Sequence, residues 1–164
     1  MKKILLPGIM FALFSILSAS TADAAQSTGT VYTSSRYDFS LTLPPGYLSL
    51  VEPENGDGIT VTYGSGMTLK AYGTMAPLVF STDCATMYGD ARDTLDQATY
   101  TRLNEKERWF VVSGYREGNI VYSKQFVGKT AAYVLEMVYP PEHARDFDAF
   151  VRAVVGSFSP GDME

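Results

Sequence analysis

Between Thr99 and Tyr139 the side chains alternate with a period of two, and the residues on both sides of the alternation are apolar. Trp109, Val111, Ser113 and Tyr115 oppose Phe110, Val112 and Gly114, while Tyr133, Leu135, Met137 and Tyr139 oppose Val134, Glu136 and Val138. A period of two belongs to a strand, because successive side chains point to opposite faces of a sheet. Breaks at Asn104-Glu105-Lys106, at Arg116-Glu117-Gly118-Asn119 and at Gly128-Lys129 divide the stretch into a meander. Strands with apolar residues on both sides cannot leave a whole face wet, so this sheet needs cover on at least part of each.

The rest of the chain supplies that cover. Cys84, Met87, Tyr88, Ala91 and Leu95 recur at helical spacing behind the capping residues Ser81-Thr82-Asp83, predicting a helix over Asp83 to Asp96 with an acidic outer face. A second helix follows Pro140-Pro141. Its apolar stripe is Phe147, Phe150, Val151, Val154 and Val155, Gly156 is its expected stop, Phe158 folds back on the core, and Ser159 to Glu164 is expected to fray. Earlier in the chain, Thr30 to Tyr32 and Tyr37 to Leu43 read as strands about the turn Ser34-Ser35-Arg36. Pro44-Pro45-Gly46 breaks the second of them, Glu52 to Gly58 is a surface loop, and Ile59 to Tyr63 and Met67 to Tyr72 form a hairpin through Gly64-Ser65-Gly66. The expectation is a single α+β domain over residues 25–164, with a central antiparallel sheet flanked by helices.

Residues 1–24 read as a signal peptide. Lys2 and Lys3 precede the apolar run Ile4 to Leu17, and Ala22-Asp23-Ala24 fits a small-residue cleavage rule, which puts cleavage before Ala25. The apolar run is short for a membrane span, so a periplasmic or secreted product with no membrane insertion after cleavage is expected. Loss of Lys2, Lys3 and Asp23 takes the formal charge from −5 to −6. With its basic residues few and scattered, the chain has no stripe with which to neutralise phosphates, which excludes nucleic acid as a partner. Cys84 is the sole cysteine and lies on the apolar side of its helix, so the domain is held by packing with no internal disulfide.

The run Tyr37-Asp38-Phe39-Ser40-Leu41-Thr42-Leu43-Pro44-Pro45-Gly46-Tyr47 and the ending Phe150-Val151-Arg152-Ala153-Val154-Val155-Gly156-Ser157-Phe158 resemble the opening and closing motifs of the PsbP-like superfamily, which includes the extrinsic protein of photosystem II and bacterial envelope proteins of the DcrB type. The resemblance spans Thr30 to Phe158 and implies a PsbP-like α/β/α sandwich. It also implies a non-catalytic partner or stabiliser of a larger assembly, and it carries over no active-site motif.

The chemistry-bearing residues are few. His143, in Glu142-His143-Ala144-Arg145-Asp146, is the one histidine, and it stands three residues before Asp146 at the start of the last helix. That position suits either a solvated helix start or an acid–base or metal role. Glu136, mid-strand among apolar residues, is either a residue of a wet face or a buried carboxylate. Tyr63, Tyr72, Tyr115, Tyr122, Tyr133 and Tyr139 all fall in expected strands, and such rings suit a binding surface or a core rim equally well. Tyr115, Tyr122, Tyr133, Glu136 and His143 are therefore the candidate binding residues. No nucleophile elbow, metalloprotease, P-loop or dinucleotide motif is present, and the acidic loop Glu54 to Gly58 lacks the spacing of a calcium loop. No cofactor and no metal are expected. The reading is an exported non-catalytic binding or assembly-accessory protein acting on an envelope protein or complex. The alternatives are a small hydrolase or metal-dependent enzyme using His143 or Glu136, and an inhibitor or immunity-type protein of a partner enzyme.

Overall fold

The computed structural model describes residues 29–75 and 83–164. The expected signal peptide and the capping residues Ser81 and Thr82 lie outside the described residues. Among the described residues nine strands form: β1 (Thr30–Thr33), β2 (Ser40–Leu43), β3 (Tyr47–Val51), β4 (Gly58–Tyr63), β5 (Thr68–Met75), β6 (Gln97–Asn104), β7 (Trp109–Arg116), β8 (Asn119–Val127) and β9 (Ala131–Tyr139). Two helices accompany them, α1 (Cys84–Asp93) and α2 (Ala144–Ser157). Strands β3 to β9 make one antiparallel sheet in the order β3-β4-β5-β9-β8-β7-β6, and β1 and β2 pair separately as a hairpin.

The expected two-sided cover is present. On one face Tyr133, Leu135, Met137 and Tyr139 of β9 meet Leu69 and Ala71 of β5, Val61 of β4, and the underside of α2 and of the β1–β2 hairpin. Fully burying side chains of this size stabilises by about 1.5–3 kcal/mol each, so this face is the main core. On the other face α1 brings Cys84, Met87, Tyr88, Ala91 and Leu95 onto Phe110, Val112 and Val127. Asp83 caps α1 as its spacing predicts, accepting from the Thr86 backbone N–H at 2.9 Å. Burial pushes the Cys84 thiol above its ordinary range, which suits a packing residue. The turn from β7 to β8 consists of Glu117 and Gly118, both at positive φ (51° and 77°), the geometry of a two-residue hairpin turn whose twist matches the strands.

Several boundaries differ from the sequence expectation, each for a local reason. The strand read from Tyr37 begins only at Ser40, because Asp38 takes a left-handed conformation (φ 54°) and Ser34 closes the turn by bonding Phe39. β3 was not expected. A register irregularity between Tyr47 and Ser49 destroys the alternation that would have marked it. Helix α1 stops at Asp93 instead of Asp96, since the Asp96 N–H is taken by the Tyr115 carbonyl at 2.8 Å. Gly156 is not the stop of α2, which runs through it to Ser157. The Ser157 hydroxyl donates to the Val154 carbonyl and accepts from the Thr42 N–H.

The C-terminal tail is tied down instead of frayed. Ser159 and Ser40 exchange backbone hydrogen bonds at 2.9 and 3.0 Å, the Tyr133 hydroxyl donates to the Asp162 carbonyl, the Lys129 N–H donates to the Met163 carbonyl at 3.2 Å, and Lys129 pairs with Glu164. Deleting residues 160–164 orphans the Tyr133 hydroxyl and uncovers Met163's contact with the core. The expected loss is about 1–3 kcal/mol, read as a lower midpoint in urea unfolding.

Candidate functional site

The candidate residues separate onto opposite faces of the sheet. Register pairs Tyr115 with Ile120, Ser113 with Tyr122, and Val111 with Lys124, so these side chains point to the α2 side. Helix α2 lies over β9 and the near side of β8, and the described residues place no element over β6 and β7 on this face. What remains is an open shelf. Across it run two rows, Tyr100–Ser113–Tyr122 and Arg102–Val111–Lys124. Trp109 stands at one end and Tyr115, 38% exposed, at the other. Where the shelf meets α2, hollows of about 450 Å³ and about 180 Å³ share Tyr122 and Val155 as common walls.

The shelf is cationic as well as aromatic. The Arg102 guanidinium lies over the Trp109 ring at 5.1 Å, and the Lys124 ammonium lies 4.8 Å from the Phe126 ring centre while donating to the Val155 carbonyl at 3.4 Å. Among the described residues neither cation has a carboxylate partner. Burial holds the Lys124 ammonium below its ordinary pKa of 10.5 and pushes the Tyr122 hydroxyl up, with Tyr100 and Tyr139 adding to the second effect. Tyr100, Arg102, Trp109 and Lys124 escaped the sequence reading. The signal that could have found them is aromatic and basic residues two apart, Tyr100-x-Arg102 and Tyr122-x-Lys124, which a strand aims at one face.

Glu136 faces the other way, beneath α1, and it is neither wet nor isolated. Its two oxygens take both terminal nitrogens of Arg116 at 3.0 and 3.2 Å, with its side chain 22% exposed. This bidentate bond raises the Arg116 pKa further above its usual value. The pair forms part of a recess of about 170 Å³ with Ser123, Gln125 and Tyr72, which opens between α1 and β5 into a groove of about 410 Å³. His143 is remote from it. Its Nδ1 lies 3.2 Å from Asp146 Oδ2 and its ring packs edge-on to Phe147, on the α2 side. His143 and Glu136 therefore do not converge on one cleft. Tyr133 is corrected as a binding candidate. It is 2% exposed, and packing against Phe39 and bonding to Asp162 make it a core residue. Among the described residues no three His, Cys, Asp or Glu side chains gather as a metal set.

Comparison with known proteins bears on the fold. The solution structure of cyanobacterial PsbP (CyanoP) from Synechocystis sp. PCC 6803 superposes with a TM-score of 0.55 at 10% identity, covering 87% of this chain and 98% of that one. The fold is PsbP-like. No family model and no curated protein sequence matches the chain. At that identity the PsbP-like likeness speaks for architecture, the sheet with its two flanking layers, and leaves the shelf and the recess as features to be read from this chain's own residues.

Two measurements probe these sites. In a double-mutant cycle with Glu136→Gln and Arg116→Met, each single change is expected to lower stability by about 1–3 kcal/mol, with a coupling of at least about 0.5 kcal/mol; strict additivity would refute the ion pair as a unit. Lys124→Met tests the shelf. The folded state disfavours the Lys124 charge, so at neutral pH the variant melts higher than the parent, by no more than about 4 °C. The gap closes as the pH rises from the depressed folded pKa towards 10.5, where the unfolded lysine also loses its proton.

Proposed function

We propose that this protein is an exported, non-catalytic accessory domain of the cell envelope that docks a partner protein through the open shelf of β6, β7 and β8. The partner surface is one that presents carboxylates around an apolar centre. The observation that carries this reading is the pairing, among the described residues, of two cations that no carboxylate engages with rings that are exposed or half-buried. Among the described residues Arg102 and Lys124 form no ion pair beside Trp109, Tyr100 and Tyr122, while the Trp109 indole N–H donates to Glu107 at 2.8 Å, on a chain of net charge −5 whose other cations include several held in ion pairs. Rings with a polar edge and arginine are the residues that anchor protein interfaces, being dry when bound and tolerable in water when free.

The PsbP-like fold is compatible with such a role. Catalysis at Glu136 is disfavoured by its bidentate bond to Arg116, which leaves no free carboxylate, and by the distance of His143 on the other side of the sheet. An inhibitor of a partner enzyme would use the same shelf, and the identity of the partner separates the two.

The test is crosslinked capture from the native envelope, comparing the parent with Arg102→Glu/Lys124→Glu and with Tyr100→Ser/Tyr122→Ser. A single stoichiometric partner, lost in both variants and released as salt rises past the range where surface charges are screened, is the expected result. Retention that is unchanged in the variants, or no retention from the parent, overturns the reading.

A further inference from the structure

The two edges of the main sheet are unlike. At one edge β6 carries Arg102, and its Leu103 packs into the same small core as α1. At the other edge β3 is bare: all five residues are exposed, four of them are apolar, and none is charged. Leu48 is 74% and Val51 59% exposed. Edge strands are ordinarily protected by charge, by proline or by a covering element, because their outward N–H and C=O groups otherwise template another strand. In β3 the one irregularity, between Tyr47 and Ser49, shortens the regular run without covering it. Glu52, which follows β3 directly, is engaged within the chain by the Tyr32 hydroxyl at 2.9 Å.

We propose that β3 pairs antiparallel with β3 of a second copy, joining two sheets into one of twice the width. A strand added at this edge must bring apolar side chains on both faces and no charge opposite β3, and the copy's own Leu48-Ser49-Leu50-Val51 meets that condition in each register that overlaps the run. The uncharged strip also lets two acidic chains approach where like charges do not face each other. The dyad of an antiparallel pair stands perpendicular to the sheet, so equivalent faces of both copies lie on the same side. The twist of about 20° per strand then turns the two β6–β8 shelves, at the far ends of the joined sheet, out of line with each other. A contact of five residues a side belongs among interfaces burying less than about 1,200 Å², so a dissociation constant of about 10 μM to 1 mM is expected.

The experiment is sedimentation equilibrium of the chain from Ala25 onward, which contains every described strand and helix, at about 1 μM to about 1 mM. The parent is expected to pass from monomer to dimer. Leu48→Lys/Val51→Lys, which alters two exposed positions, is expected to melt with the parent and to stay monomeric throughout. A parent that is monomeric at every concentration, as it would be if β3 instead received a strand from another protein, overturns the proposal. So does a dimer that survives the double lysine variant. Arg102→Glu/Lys124→Glu lies at the opposite end of the sheet and is expected to dimerise like the parent, which keeps failure of this proposal distinct from failure of the shelf.

Discussion

Strand β9 is buried on both faces along most of its length, and the rest of the structure answers to it. Seven of its nine residues, Ala131 to Leu135 together with Met137 and Tyr139, are buried. A strand in that position needs hydrogen-bonded neighbours on both edges, which β5 and β8 supply, and an apolar layer above and below. The α2 layer with the β1–β2 hairpin covers Tyr133, Leu135, Met137 and Tyr139. The α1 layer covers part of the opposite face, and where it ends the polar residues begin, with Glu136 held by Arg116. The shelf and the recess are both margins of this arrangement. They lie where a layer is narrower than the sheet that it covers.

Much of this was legible in the residues. The period of two in β7 and β9 announced strands with two dry faces, the spacing from Cys84 to Leu95 announced a helix that would lie on one of them, and Asp83 announced its start. What could not be read depends on contacts between distant positions. Nothing near Glu136 in sequence indicates Arg116, which stands twenty residues away and meets it across β8. Tyr133 looked like any strand tyrosine until its hydroxyl was found on Asp162 in the tail. β3 hid because its bulge spoils the alternation, and Asp38 because a left-handed residue can sit inside an apparently regular strand pattern.

The candidate site was half legible for a related reason. Tyr115 and Tyr122 were singled out as rings in strands, and the structure puts both on one face. Their neighbours Tyr100 and Arg102 belong to β6, whose register shifts between Ala98 and Tyr100, so their face cannot be counted from the start of the strand. The pairing of rings with cations is thus a property of the sheet and not of any one segment.

The tail adds a constraint of a different kind, on the order in which the chain can acquire its structure. Phe39 packs on Phe158, Ser40 pairs with Ser159, and Thr42 bonds to Ser157, 115 residues later. The first hairpin of the domain is thereby fastened by its last few residues, and the central pairing of β5 with β9 also spans most of the chain. Contacts of such long range form late and slowly. Without α2 and the residues that follow it the hairpin has no seat and the main core has no lid, so the first strands of the domain reach their final packing only after its last helix is in place.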